Sequence, residues 1–150
     1  MDEKLRRKIL DILAEHRIMT VATLRPDGWP QATTVGYASD GLTLYFLCGL
    51  DSQKAANIAR DDRVSITIDH DTPQVMEISG LSLAGRATQV KDVDEARRAI
   101  DLLISRYPEQ RSFSFPMPKA EDVFVVRVEP VVISVLDYTK GFAHTDLVVC

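Results

Sequence analysis

The sequence predicts a mainly β, α+β protein: a small antiparallel β-barrel of six to seven strands with peripheral helices. Three observations predict it. Short stretches rich in β-branched residues recur along most of the chain. Turn residues of definite type separate the early ones, and helical periodicity is confined to three places. Strands this short, in 150 residues, need a closed or nearly closed sheet to bury their edges.

Leu5, Ile9, Ile12 and Leu13 recur at helical spacing behind Asp2 and Glu3, which predicts an amphipathic helix over 3–16. Ile18–Leu24 is a strand. Arg25-Pro26-Asp27-Gly28 is a turn, with Pro fixing φ and Gly allowing it to be positive. Trp29–Ala38 and Leu42–Cys48 are the next two strands, joined through Ser39-Asp40-Gly41. Together the three form an expected meander. Asp51 and Ser52 are both N-cap residues, so Gln53–Arg60 is a short helix.

Val64–Asp69 is a fourth strand, and Val75–Val90 a long β-rich stretch that Gly80 or Gly85 can kink. Asp92 and Glu95 sit at capping-box spacing and open a helix whose apolar face is Val93, Ala96, Ile100, Leu103 and Ile104. Residues 108–122, with Phe113, Phe115 and Met117, read as an ordered loop with aromatic anchors or as a flexible lid. Two final strands, Val123–Val128 and Val131–Tyr138, flank Glu129-Pro130, and a glycine-containing tail follows. No repeat or linker divides the chain, so one domain over 1–150 is expected.

At 45% hydrophobic and 27% charged residues, the chain has enough apolar surface to offset chain entropy, which excludes disorder. No apolar run approaches the roughly 20 residues of a membrane span, and the start lacks the apolar core of a signal peptide. Two cysteines, Cys48 and Cys150, make neither a disulfide framework nor a four-cysteine zinc site; reduced thiols in the cytoplasm are expected. A net charge of -4 argues against nucleic acid as a partner, and no membrane partner is expected.

Metal ligation has little in its favour. His16, His70 and His144 are far apart in sequence, and although Asp69 and Asp71 flank His70, polar residues are normal where a strand meets a loop. No G-x-S-x-G, G-x-G-x-x-G or Walker A spacing occurs. Cys48 precedes a helix N-terminus, a position that can activate a thiol, although small buried packing is the commoner role. The best local signal is Cys48-Gly49-Leu50-Asp51-Ser52-Gln53-Lys54. It offers free N–H groups, a hydroxyl and an ammonium in one helical turn, the parts of a phosphate site. Ser52 could equally serve only as a cap.

The ordered series Thr20-Val21-Ala22-Thr23-Leu24, Pro26-Asp27-Gly28-Trp29-Pro30-Gln31 and Val35-Gly36-Tyr37 resembles the pyridoxamine 5'-phosphate oxidase-like FMN-binding split barrels. Ser52-Gln53-Lys54-Ala55 with Asn57-Ile58, Asp62-Arg63-Val64-Ser65 and Leu83-Ala84-Gly85-Arg86-Ala87 extend the resemblance, which runs from about residue 10 to 138. It implies a split barrel that forms a homodimer with two FMN molecules at the interface. Ser52 and Lys54 would grip the FMN phosphate, with Gln53 where many members have Arg. Thr33, Thr34 and Val35 would line the ring, Leu47 and Cys48 would face it, and Asn57 completes the implied cofactor-binding set.

The resemblance departs at the C-terminal end. Pyridoxamine-phosphate oxidases carry a Trp and Arg set there, whereas this chain has one Arg after residue 111, Arg127, and its single Trp is Trp29. The expectation is therefore an FMN flavoprotein, an oxidoreductase on an unidentified small molecule, that is not a true pyridoxamine-phosphate oxidase. A non-catalytic flavin-binding or carrier module, or a haem- or F420-binding relative, is the alternative. No catalytic residue is assigned. Lys140 and His144 could face the flavin of either subunit, or the tail could simply pack through Phe142.

Overall fold

A computed structural model of the chain describes residues 1–108 and 117–150. Helix α1 (Glu3–Glu15) starts where Asp2 accepts from the Leu5 N–H at 2.9 Å. Strand β1 (Ile18–Leu24) turns through Arg25–Gly28, with Gly28 at φ +86°, into β2 (Pro30–Gly36). After β3 (Ala38–Asp40), Gly41 at φ +60° reverses the chain into β4 (Thr43–Cys48). Helix α2 (Gln53–Arg60), β5 (Arg63–Asp69), a 3-10 turn (Val75–Glu77) and β6 (Ser79–Gln89) follow. Helix α3 (Val93–Arg106), β7 (Phe124–Asp137), a 3-10 turn (Tyr138–Lys140) and β8 (Thr145–Val149) complete the order.

The expected meander is not what forms. The strands lie in the order β2-β1-β5-β6-β7-β4-β3, all antiparallel, with β8 pairing β7. Strands β2 and β3 are thus at opposite ends of the path, yet only Tyr37 separates them. One residue spans about 3.5 Å. The sheet must therefore curl until its ends meet, and this covalent link makes the split barrel. Tyr37 is fully buried; its hydroxyl donates to the Leu13 carbonyl at 2.8 Å, and burial pushes its phenol up to about 12.

The single expected strand over Trp29–Ala38 breaks at this switch. Conversely, the two expected final strands are one, because β7 runs unbroken through Pro130. Proline cannot donate to a ladder. The register shifts between Ala84 and Gly85, opposite Pro130, which absorbs the missing donor. A Cβ on Gly85 would come within 2.7 Å of Val128 Cγ1, so glycine is required where the strands close up. Among the described residues there are eight strands. The tail supplies the eighth, and Phe142 stands 75% exposed against Tyr138 rather than packing inward.

The interior face of the sheet packs on α1 through Ile9, Ile12 and Leu13, with Val21, Phe46, Ile66 and Leu81 among the residues that meet them. Helix α3 covers a second cluster outside the barrel, around Tyr45, Val90 and Val125. Asp92 caps α3, but Glu95 does not close the expected capping box: it accepts from Arg127 at 2.5 and 2.9 Å and from Tyr45 at 3.2 Å. Val93 is exposed, and Ala99 takes its place on the buried face. The anchors expected at Phe113 and Phe115 lie outside the described residues. Among those that are described, no helix is long and apolar enough to cross a membrane.

An ion pair between Lys8 and Asp137 fastens α1 to the end of β7. The Lys8 ammonium, together with the Thr139 hydroxyl and N–H, holds the Asp137 carboxyl down at about 2. A carboxyl depressed on folding contributes stability above its unfolded value, about 3.9, and that contribution disappears as pH falls through the folded value. Asp137→Asn should therefore lower neutral stability by roughly 2 kcal/mol and flatten the stability profile between about pH 4 and pH 2. Urea midpoints measured across that window check this; parallel profiles for the two proteins would contradict it.

Candidate cofactor site

Helix α2 begins where β4 ends. Ser52 donates its hydroxyl to the Gly49 carbonyl at 2.7 Å and accepts from the Ala55 N–H at 3.1 Å. Its capping role is thus filled in both directions. The Gln53 and Lys54 N–H groups, at the positive end of the helix dipole, have no acceptor among the described residues. Lys54 is half-buried and has no hydrogen-bond or ion-pair partner among them either. Two N–H groups and one ammonium therefore stand ready for an anion.

Cys48 lies beside this turn. Burial pushes its thiol up, and the nearby Ser52 hydroxyl and Lys54 ammonium offset this only partly. A thiol held protonated is a poor nucleophile, so Cys48 serves as packing.

The sequence-predicted residues separate into groups. Gln53 donates to Asn57 Oδ1 at 2.8 Å, and Asn57, fully buried, donates to Thr23 Oγ1 at 3.0 Å and Gln31 Oε1 at 3.4 Å. Asn57 thereby pins α2 to β1 and β2 and is spent within the chain. Sequence reasoning assigned no site role to Thr23 or Gln31. The signal was present: Thr23 falls on the inward register of β1, after Met19 and Val21.

One inward row further, Thr33 pairs with Val21, which pairs with Ile66, Leu83, Ile133 and Val148 in succession. All its row mates are apolar, and Thr33 Oγ1 is buried without a hydrogen-bond partner among the described residues. A buried orphan hydroxyl costs about 1–3 kcal/mol, so a partner for it is to be expected. Val35 shares the inward face, whereas Thr34 points outward and is exposed.

Leu47 faces α3, away from Cys48. With Gly36, Leu103, Ile104, Tyr107 and Met117 it lines an apolar pocket of about 300 Å³. A Cβ on Gly36 would come within 2.9 Å of Tyr107 Oη, so this wall tolerates only glycine without rearrangement. Lys140 and His144 lie elsewhere, both paired with Asp146, at 3.5 and 3.2 Å.

The family model for pyridoxamine 5'-phosphate oxidase matches residues 5–134. The chain belongs to the pyridoxamine 5'-phosphate oxidase family. General stress protein 26 of Bacillus subtilis (strain 168) is 26% identical over 94 residues, 60% of this chain and 66% of that protein, just under two thirds of its length. Among solved structures, Rv2991 of Mycobacterium tuberculosis is 26% identical with a TM-score of 0.76, covering 97% of this chain and 91% of that one. A heme binding protein from Mycobacterium smegmatis, 20% identical, gives a TM-score of 0.77 over 99% of this chain and 59% of its own. At that identity the likeness is one of fold. The same split-barrel fold thus occurs in a heme binding protein as well as in this family.

Proposed function

We propose that the chain binds FMN, with two copies sharing two flavins, and acts as an oxidoreductase on a small conjugated molecule. The observation that carries this is the first turn of α2: two N–H groups and a half-buried Lys54, all without partners among the described residues. In a member of this family, that constellation suits the flavin's phosphate. Thr33 Oγ1, buried and without a partner among the described residues, is a second polar atom open to a ligand contact. Leu47 and Gly36 border a pocket with no charged lining residue among the described residues, suited to an uncharged ring or substrate. Bound FMN supplies two-electron transfer chemistry; the chain supplies position and electrostatics.

A second copy is favoured by the outer face of the sheet. Thr34, Thr20, Thr67, Ser82, Ser134 and Leu147 form one outward row across six strands by successive pairing. Ala32, Ala22, Ser65, Ala84, Val132 and Val149 form the next. Neither row holds a charge, and Leu147 and Val149 are 64% and 73% exposed. An uncharged sheet surface of this extent suits burial against a copy of itself.

The pyridoxamine-phosphate reaction itself is not part of the proposal. A phosphorylated substrate needs fixed cations beside the flavin, best supplied by Arg. Arg127 is committed to Glu95 on the α3 side of the sheet. Haem is disfavoured because each His is engaged away from this turn: His16 with His70, His144 with Asp146.

Titration of the protein with FMN, haem and F420 in parallel tests the reading. Saturable binding of FMN, and no formation of pyridoxal phosphate above the rate of free FMN, are expected. Preferential binding of haem or F420, or saturable oxidation of pyridoxamine phosphate, would overturn it.

A further inference from the structure

His16 and His70 are 54 residues apart in sequence, yet His16 Nε2 lies 2.9 Å from His70 Nδ1. Their ring centres are 5.1 Å apart, close to that contact plus the two centre-to-nitrogen radii. The rings therefore meet end to end, as an imidazole–imidazole hydrogen bond, rather than face to face.

The tautomers follow from one further contact. His16 Nδ1 is 2.7 Å from the Ile12 carbonyl, which can only accept, so Nδ1 carries the hydrogen. In neutral His16 the Nε2 atom is then a lone pair, and His70 Nδ1–H must be the donor. One added proton leaves the bridge intact, because one of the two facing nitrogens still holds a lone pair. The contact then becomes charge-assisted and stronger. A second proton puts a hydrogen on both facing nitrogens and a positive charge on both rings, and the bridge breaks.

The bridge joins the C-terminal end of α1 to the segment 70–78. That segment's 3-10 turn lies against the turn Tyr138–Lys140, where the Tyr138 N–H donates to the Ile78 carbonyl at 2.9 Å. The charged groups around the pair come from every element that meets there. Glu15 and Arg17 flank His16 in the chain, and Asp69 and Asp71 flank His70. Arg106 of α3 donates to the Leu13 and His16 carbonyls, and Glu77 accepts from Thr72 Oγ1 at 3.4 Å. Among the described residues, neither Asp69 nor Asp71 is a hydrogen-bond or ion-pair partner of the two facing nitrogens, so neither replaces the bridge after the second proton.

We propose that His16 and His70 form a proton-sensitive latch that holds residues 70–78 against α1 with up to one added proton and releases them when both rings are charged. Release would loosen the seat of the Tyr138–Lys140 turn, and with it the segment bearing Lys140 and His144.

Backbone hydrogen exchange of residues 71–78, corrected for intrinsic rates and compared at about pH 7.5 and pH 5, tests the latch. In the wild-type protein, protection of this segment should fall about fivefold or more at the lower pH, the worth of one hydrogen bond, while the β6 amides stay protected. His70→Ala should show the low protection at both pH values. His70→Gln, whose amide can donate to or accept from His16, should keep the high protection at both. Equal wild-type protection at the two pH values, or a His70→Ala protein as protected as wild type at the higher one, would overturn the proposal.

Discussion

Asn57→Leu should cost about 3 kcal/mol of folding stability, against well under 1 kcal/mol for a typical exposed substitution in α2. The reasoning starts from burial. Asn57 is fully buried and binds Thr23 Oγ1, Gln31 Oε1 and Gln53 Nε2 at once. Leucine has similar bulk but offers no hydrogen bond, so Thr23, itself buried, loses its partner in a place water does not reach. Asn57→Asp should be at least as damaging, since the donors to Thr23 and Gln31 are replaced by an unpaired buried charge. Chemical denaturation gives the numbers. A Leu variant within a few tenths of a kcal/mol of wild type would show that this amide does not anchor α2.

Lys54→Ala should weaken FMN binding tenfold or more while leaving riboflavin binding nearly unchanged. A charge-assisted contact to a phosphate is worth about 1.5–3 kcal/mol, which is roughly 10- to 100-fold in affinity. Riboflavin lacks the phosphate and so lacks the contact. The variant should fold normally, because the Lys54 ammonium holds no partner among the described residues. Lys54→Arg should recover most of the affinity, whereas Ser52→Ala should lower both affinity and stability, since Ser52 is the cap of α2. Fluorescence titrations with the two flavins separate these outcomes. Equal losses for FMN and riboflavin would place Lys54 away from the phosphate.

Much of this architecture was legible in the residues because local chemistry and tertiary structure agree. Ser52 and Asp92 each cap the helix they were expected to cap, and the glycines at 28 and 41 adopt the positive φ their turns demand. What was not legible depends on contacts distant in sequence. Nothing local marks Tyr37 as the point where the chain passes from one end of the sheet to the other; strand order decides that. Pro130 reads as a strand breaker until Gly85 is set opposite it. In the site, spacing pointed to the α2 turn, and the turn has the free donors expected of it. Ser52, however, is occupied as a cap, Leu47 and Cys48 face opposite sides of β4, and Thr34 faces away from Thr33 and Val35. The orphan hydroxyl of Thr33 and the pairing of His16 with His70 are visible only once the strands are in register.

Sedimentation velocity of FMN-saturated protein, followed both by protein absorbance and by the visible flavin band, tests the central claim that two chains share their flavins. One boundary carrying both signals is predicted, at about twice the 16.8 kDa of a single chain, with one flavin per chain. Flavin absorbance on a 16.8 kDa monomer, or flavin that stays behind while the protein sediments, would contradict it.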